Sequence, residues 1–78
     1  MKINYDKIAD AVYINLREGK ISHSIEVNDR MIVDVDKDEN AIGIEILDFS
    51  SKEGKESLEK SVEYGVPVEI ISRTPTMA

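Results

Sequence analysis

The stretch from Asp34 to Leu47, DVDKDENAIGIEIL, decides the fold, because it holds the turn of a β-hairpin and the arm that follows it. Every second residue on either side of the turn is apolar: Met31, Val33 and Val35 before it, Ile42, Ile44 and Ile46 after it. A period of two places alternate side chains on one face of a sheet. With Lys37–Asn40 as the loop, the stretch predicts a hairpin that sets Val35 opposite Ile42.

The preceding residues continue the same alternation through three more predicted hairpins. A two-residue turn at Glu18–Gly19 and a three-residue loop at Asn28–Arg30 both keep the apolar side chains on one face. The opposed pairs are Tyr5–Val12 and Ile3–Ile14 in the first hairpin, Leu16–Ile21, Ile14–His23 and Val12–Ile25 in the second, and Val27–Met31 in the third. Residues 1–47 are therefore expected to form a five-stranded antiparallel β-meander.

A helix is predicted over residues 51–64, which makes the chain an α+β protein. Ser50 lies three residues before Glu53, as in a capping box. Leu58 begins a narrow apolar stripe, and Gly65 is a natural end for the helix. The whole chain, residues 1–78, is expected to be a single small domain.

The segment 66–71 is predicted to be extended, and Pro67 restricts it to an edge or to the first residues of a strand. It is expected to be either an edge strand or a strand exchanged between two copies. A helix whose apolar stripe consists at most of Leu58, Val62 and Tyr64 is too narrow to cover five strands. Something else must cover the rest of the apolar face, so the sequence predicts a homodimer.

Composition excludes several classes of function. The chain has 78 residues, a net charge of −6 and no cysteine. A negative charge opposes binding to the phosphate backbone of nucleic acids, and no apolar run approaches the length that spans a bilayer. One histidine without cysteine argues against structural zinc. We expect a cytoplasmic protein without cofactor, nucleic acid or membrane, whose acidity would attract a small basic protein.

The residues Asp34, Asp36, Asp38 and Glu45 have the spacing of the ligands in a calcium loop of the EF-hand type. Glu39 stands where that loop needs glycine, and strands rather than helices flank it. Acidic residues are also common in ordinary hairpin turns. The four residues are therefore weak metal candidates, and a simple turn is the favoured interpretation.

No residue is predicted to be catalytic. His23 is expected on the apolar face opposite Ile14, where it would pack half-buried at the margin of the sheet. Glu26, Asp34 and Glu45 are expected on neighbouring strands of the other face, where paired carboxylates can divide acid and base roles if their environments differ. Nothing in the sequence supplies such a difference. A solvated polar face is the favoured interpretation, and a hydrolase is the alternative.

The polar face also contains an interaction surface, which we predict to consist of Tyr13, Arg17, Ile32 and Glu45. Tyr13 and Ile32 place apolar atoms among charged side chains. Exposed apolar residues within a polar rim are typical of protein-binding sites. The composition of this face therefore favours a binding surface over a reaction centre.

Residues 1–50 resemble a small bacterial and archaeal family known as domain of unknown function 2283. The matching motifs are Tyr5-Asp6-x-x-x-Asp10-Ala11-x-Tyr13-Ile14-x-Leu16, Glu26-Val27, Ile32-Val33-Asp34-x-Asp36 and Gly43-Ile44-Glu45-Ile46-Leu47. The resemblance implies a compact β-rich domain with no assigned activity and no catalytic residues. Members of the family are often encoded beside small proteins that resemble ribonuclease toxins, so the resemblance also implies an antitoxin-like role. Asp6 and Asp10 suit the closing of the first turn.

Two functions follow from these observations. The favoured one is a non-enzymatic protein-interaction module, dimeric and acidic, acting as the antitoxin-like partner of a basic toxin-like protein. The alternative is a protein that binds calcium or a small ligand through the loop Asp34–Glu45.

Overall fold

A computed structural model describes residues 1–69 of the chain. These residues form one antiparallel sheet followed by a helix, so the predicted α+β class is confirmed. The elements are β1 (Lys2–Asp6), β2 (Ala11–Asn15), β3 (His23–Asn28), β4 (Met31–Val35), β5 (Ala41–Ile46), α1 (Lys52–Lys60) and a 3-10 helix (Ser61–Tyr64). None of the helices described is long and apolar enough to cross a membrane.

The order of strands in the sheet is β1-β2-β5-β4-β3, so the predicted meander is wrong at one connection. β2 pairs with β5, with Ile14 opposite Ile44, instead of pairing with β3. Residues 16–22 carry the chain from β2 to the far edge instead of making a two-residue turn at Glu18–Gly19. The exchange places Ile14 and Ile44, both fully buried, in the middle of the sheet. The more polar β3, most of whose residues are exposed, takes the edge.

The first and last hairpins keep nearly the predicted register. Tyr5 lies opposite Val12 in the first, and Val33 lies opposite Ile44 in the last, both as predicted. Near the last turn the register shifts, and Val35 faces Ala41 rather than Ile42. A bulge of this kind adds one residue without turning the remaining side chains to the other face.

The hairpin between β3 and β4 also contains a bulge. Asn28 pairs with Met31, which leaves Asp29 and Arg30 as a two-residue turn instead of the three-residue loop predicted. The register shift between Glu26 and Asn28 restores the parity that a two-residue turn alone would invert.

The central part of the sheet's apolar face is covered within a single copy of the chain. Phe49, Leu58 and Val66 join the core cluster, one from the segment before α1, one from α1 and one from the segment after the 3-10 helix. The strand residues in this cluster are Val12, Ile14, Met31, Val33, Val35, Ile44 and Ile46. The premise of the predicted homodimer is therefore wrong for the central strands, and the homodimer itself stays a prediction.

The helix begins at a different serine from the one predicted. Ser51 is the N-cap, and its Oγ accepts a hydrogen bond from the amide of Gly54 at 3.1 Å. Gly54 is buried, and a Cβ there would meet the backbone of Asp48 and Phe49. Glycine therefore lets the first turn of α1 lie directly on the segment that leads into it, which offsets its poor helix propensity.

The end of the helical region agrees with the sequence, whereas the segment after it does not. Gly65 ends the 3-10 helix in a left-handed conformation, with φ at 109°. Val68 and Glu69 have helical rather than extended backbone conformation, so the extended segment predicted over residues 66–71 is wrong at these two positions. Residues 70 and 71 lie outside the described part of the chain.

Candidate interaction site on the open face of the sheet

The sheet face opposite the core, called the open face below, is built from two rows of directly opposed residues. Residues opposed in antiparallel strands share a face, so each row crosses all five strands. The first row is Asn4, Tyr13, Glu45, Ile32 and Glu26, and the second row is Lys2, Asn15, Gly43, Asp34 and Ser24. Three of the four residues predicted as an interaction surface, Tyr13, Ile32 and Glu45, are consecutive neighbours in the first row.

Tyr13 leans from the first row into the second because Gly43 leaves room for its ring. A Cβ at position 43 would overlap the end of that ring. The Tyr13 hydroxyl donates a hydrogen bond of 2.9 Å to Oδ2 of Asp34, and Ser24 Oγ donates one of 2.6 Å to Oδ1 of the same carboxylate. The resulting Tyr13–Asp34–Ser24 network joins β2, β4 and β3 across the surface of β5.

The electrostatics of this network favour a structural role over a catalytic one. Burial, followed by the hydrogen bond to Asp34 and the charges of Asp34 and Glu45, raises the pKa of Tyr13 to about 12. A phenol that serves as a nucleophile or a base needs a lowered pKa, and this one stays a neutral donor. Both oxygens of Asp34 are engaged in hydrogen bonds, so the network fixes side chains in place.

Three neighbouring residues of the first row, Glu45, Ile32 and Glu26, form a patch of acidic and apolar surface. Ile32 lies directly between Glu45 on β5 and Glu26 on β3. Glu26 is exposed, and Ile32 and Glu45 are half-buried. Neither glutamate has an ion-pair partner among residues 1–69. Glu26 is predicted on this face only as a hypothetical catalytic group and not as part of the interaction surface. Its alternation with the apolar Ile25 is the signal in the sequence that places it beside Ile32.

Arg17, the fourth residue predicted for the interaction surface, lies beyond the end of β2 and outside both rows. Its positive charge helps to lower the pKa of Asp36, although the backbone hydrogen bond from Asn40 is the largest cause of that shift. The structure thus places Arg17 beside the acidic turn between β4 and β5 rather than with Tyr13 and Ile32.

The four weak metal candidates are divided between a turn and the open face. Asp36 closes its own turn, because Oδ1 accepts hydrogen bonds of 2.9 Å from the backbone amides of Asp38 and Asn40. Asp34 and Glu45 belong to the two rows of the open face. Within residues 1–69 no three histidine, aspartate or glutamate side chains are grouped so that they could hold a metal ion.

His23 lies on the apolar face as predicted, because it is opposite the buried Val35, but it is exposed rather than half-buried and does not face Ile14. It lies on the edge strand β3, which pairs with β4. β3 does not pair with β2, the strand that contains Ile14. A ring nitrogen of His23 lies 3.2 Å from the hydroxyl of Ser22. The predicted position opposite Ile14 was wrong because it required a β2–β3 hairpin.

Asp6 has the turn role that the sequence indicated, whereas the carboxylate of Asp10 binds the Tyr5 hydroxyl and Ser50 rather than a backbone amide of its own turn. Asp6 Oδ1 accepts hydrogen bonds from two backbone amides of its own turn. Asp10 accepts hydrogen bonds from the Tyr5 hydroxyl and from both the amide and the hydroxyl of Ser50. The hydrogen bond from the Ser50 hydroxyl is the main reason why the pKa of Asp10 is lowered. Asp10 therefore ties the first hairpin to the segment before α1.

Comparison with known families finds one match. Residues 2–50 match the model of a family described as "Protein of unknown function (DUF2283)". The matched region contains the whole sheet and the Ser50 that binds Asp10. Neither the curated proteins nor the solved structures gave a match.

Proposed function

Because the chain belongs to the DUF2283 family, whose description names no activity, its function has to be inferred from its surface, and we propose that it is a non-enzymatic protein-interaction module. Its partner is a small basic protein, which it binds through the open face in the manner of an antitoxin. The observation that supports this most is the placement of Ile32 between Glu26 and Glu45 in the first row.

This patch has the composition of a small binding site for a basic surface. Ile32 supplies apolar area at the centre, and the two glutamates supply negative charge on either side of it. Apolar centres with a polar rim are characteristic of protein interfaces, and opposite charges raise association rates and select the partner. The net charge of −6 acts in the same direction at longer range.

The Tyr13–Asp34–Ser24 network supports binding because it holds the side chains next to the patch in one conformation. Tyr13 is the neighbour of Glu45 in the first row, and its hydroxyl is fixed by Asp34. A surface that is already ordered loses less conformational entropy when a partner binds. The hydrogen bonds to Asp34 in the second row thus order Tyr13 in the first row before a partner binds.

The experiment is affinity capture from the native host with three purified forms of the chain. The wild type and a control variant, Glu18→Lys with Glu59→Lys, are expected to capture the same basic protein. The variant Glu26→Lys with Glu45→Lys is expected to lose it, because both substitutions lie in the first row. Glu18, in the connection after β2, and Glu59, on α1, are exposed and lie outside both rows, and the two double variants carry the same change in net charge.

The captured protein is then purified, and its affinity for each form is measured by calorimetry. If it arrests growth when expressed alone, co-expression of the wild type is expected to restore growth and co-expression of the Glu26→Lys/Glu45→Lys variant is not. Capture of no basic protein would refute the proposed function. Equal loss of binding in both double variants would refute the open face as the site, because it would show that only net charge matters.

A further inference from the structure

Within the described part of the chain, strand β3 has a free edge that could pair with another strand. It lies at the end of the sheet, and among the residues described only β4 pairs with it. In an antiparallel strand every second residue directs its N–H and C=O away from the existing partner, and an exposed edge is a template for another chain. β3, with the sequence HSIEVN, has neither proline nor lysine, the residues that commonly protect such edges.

The side chains of β3 continue the apolar face beyond the covered core. Ile25 lies opposite Val33, so the two share a face, yet Ile25 is 40% exposed whereas Val33 is 1% exposed. Ile21, just before the strand, is 47% exposed. A strand placed beside β3 would extend the sheet and remove part of this apolar surface from water.

We propose that this strand is β3 of a second copy, paired antiparallel about a two-fold axis through Ile25. In this register Ile25 faces Ile25, and Ser24 faces Glu26 of the partner copy. His23 then faces Val27, so the apolar residues of both copies stay on one face. The same patch is thus used by both copies, as a two-fold interface requires.

Charge selects this register over its nearest competitor. Moving the axis to Glu26 would place two glutamates directly opposite each other, which is destabilising. Moving the axis to Ser24 would require pairing by residues before His23, which is the first residue of β3. The bulge at Val27 lies at the end of the paired stretch and leaves the central pairs intact.

The resulting interface is small, because it consists of one short strand from each copy. Stable interfaces commonly bury about 1,200 Å² or more in total, and smaller ones belong to weak complexes. We therefore expect a dimer that forms with rising concentration in the micromolar range. The inference depends on the edge of β3 and not on the basic partner proposed above, so either can fail without the other.

Two measurements on the purified chain test this inference. Analytical ultracentrifugation of the wild type is expected to show a monomer–dimer equilibrium, and Ile25→Lys is expected to raise the dissociation constant at least about tenfold, since a lysine on the apolar face protects an edge. Circular dichroism checks that the variant is folded. We expect it to fold because Ile25 is 40% exposed in the wild type.

Cross-linking tests the register, because the chain has no cysteine of its own. Ile25→Cys is expected to form an intermolecular disulfide under mild oxidation, since the two thiols face each other. Ser24→Cys is expected to react more slowly, because residue 24 faces residue 26 and bridging requires Cα atoms within about 7 Å. Ile8→Cys, in the exposed turn between β1 and β2, measures the rate of random collision.

A wild type that stays monomeric at high micromolar concentration, a dimer unaffected by Ile25→Lys, or an Ile25→Cys reaction no faster than that of Ile8→Cys would each overturn the inference. Faster cross-linking of Ser24→Cys than of Ile25→Cys would overturn the register on which it is argued.

Discussion

Replacing Gly43 with alanine tests whether Tyr13 is fixed over β5 by the absence of a side chain there. The new Cβ would overlap the end of the Tyr13 ring, so the ring has to move away from Gly43. Once the ring moves, the Tyr13 hydroxyl loses its hydrogen bond of 2.9 Å to Oδ2 of Asp34. We therefore expect Gly43→Ala to destabilise the protein, although glycine to alanine in a strand usually does the opposite.

The magnitude follows from three contributions. A hydrogen bond to a charged group contributes about 1.5 to 3 kcal/mol, and partial exposure of Tyr13 places this one at the lower end. Loss of the partial burial of the ring costs about 1 kcal/mol. The ordinary gain from replacing glycine offsets roughly 0.5 to 1 kcal/mol. We expect a net loss of about 1.5 kcal/mol in the free energy of unfolding, which corresponds to roughly 6 to 12 °C in melting temperature for a domain of this size.

The assay is urea unfolding followed by far-ultraviolet circular dichroism, applied to a double-mutant cycle. In a Tyr13→Ala background the ring is absent, so Gly43→Ala should be neutral or stabilise the protein by up to about 1 kcal/mol. The effect of the same methyl group thus changes sign between the two backgrounds. An equal loss of stability in both backgrounds would refute the reasoning, because it would place the clash somewhere other than at Tyr13.

Three further predictions concern the helix and two titrating groups. Gly54→Ala should lower the free energy of unfolding, measured in urea, by about 1 to 3 kcal/mol. The reason is that the new Cβ would lie 2.5 Å from Cα of Phe49. The control variant Lys55→Ala, on the exposed side of α1, should change this free energy by less than about 0.5 kcal/mol. The pKa of Tyr13 rises from 10.0 to about 12, so its stabilisation is complete below pH 10 and is lost as the pH rises to 12; Tyr13→Phe should show a smaller loss of stability in that range, measured from urea midpoints. The pKa of Asp10 is lowered from 3.8, so its stabilisation is present above that pH and is lost in more acidic solution; melting curves of Asp10→Asn and the wild type should differ at neutral pH and converge in acid.

The face of each strand could be predicted from the sequence, whereas the order of the strands could not. Alternation fixes which side chains share a face, and Ile14, Val33 and Ile44 are buried together as it requires. Parity is the same whether β2 pairs with β3 or with β5, so it does not choose between them. That choice depends on the burial of whole strands, which becomes visible only when all of them are packed.

The candidate site was predictable to the same extent. Tyr13, Ile32 and Glu45 were placed on one face by alternation, and Ile32 and Glu45 were placed on paired strands by the last hairpin. The hydrogen bond from Tyr13 to Asp34 depends on the position of β5 between β2 and β4, which the meander does not provide. Gly43 was the one signal for it, since a glycine within a strand marks a place where another group approaches closely.

The position of the helix cap shows a different limit. Ser50 and Ser51 are both suitable caps, and the spacing to Glu53 favoured Ser50. In the structure Ser50 binds Asp10, which is forty residues earlier in the chain. A contact of that range outweighs a local preference, and no pattern within the helix reveals it.

The strand order also explains why the open face and the edge position of β3 occur in the same molecule. In a meander β5 would be the outer strand, and its sequence AIGIEI would expose a strongly apolar edge. Placing β5 in the centre buries that edge and brings Glu45 between Tyr13 and Ile32, which completes the first row. The edge strands are then β1 and β3, and Ser24 and Glu26 permit β3 to pair with itself in one register and oppose this pairing in another. Both proposed interactions therefore depend on the long connection that takes the chain from β2 to the far side of the sheet.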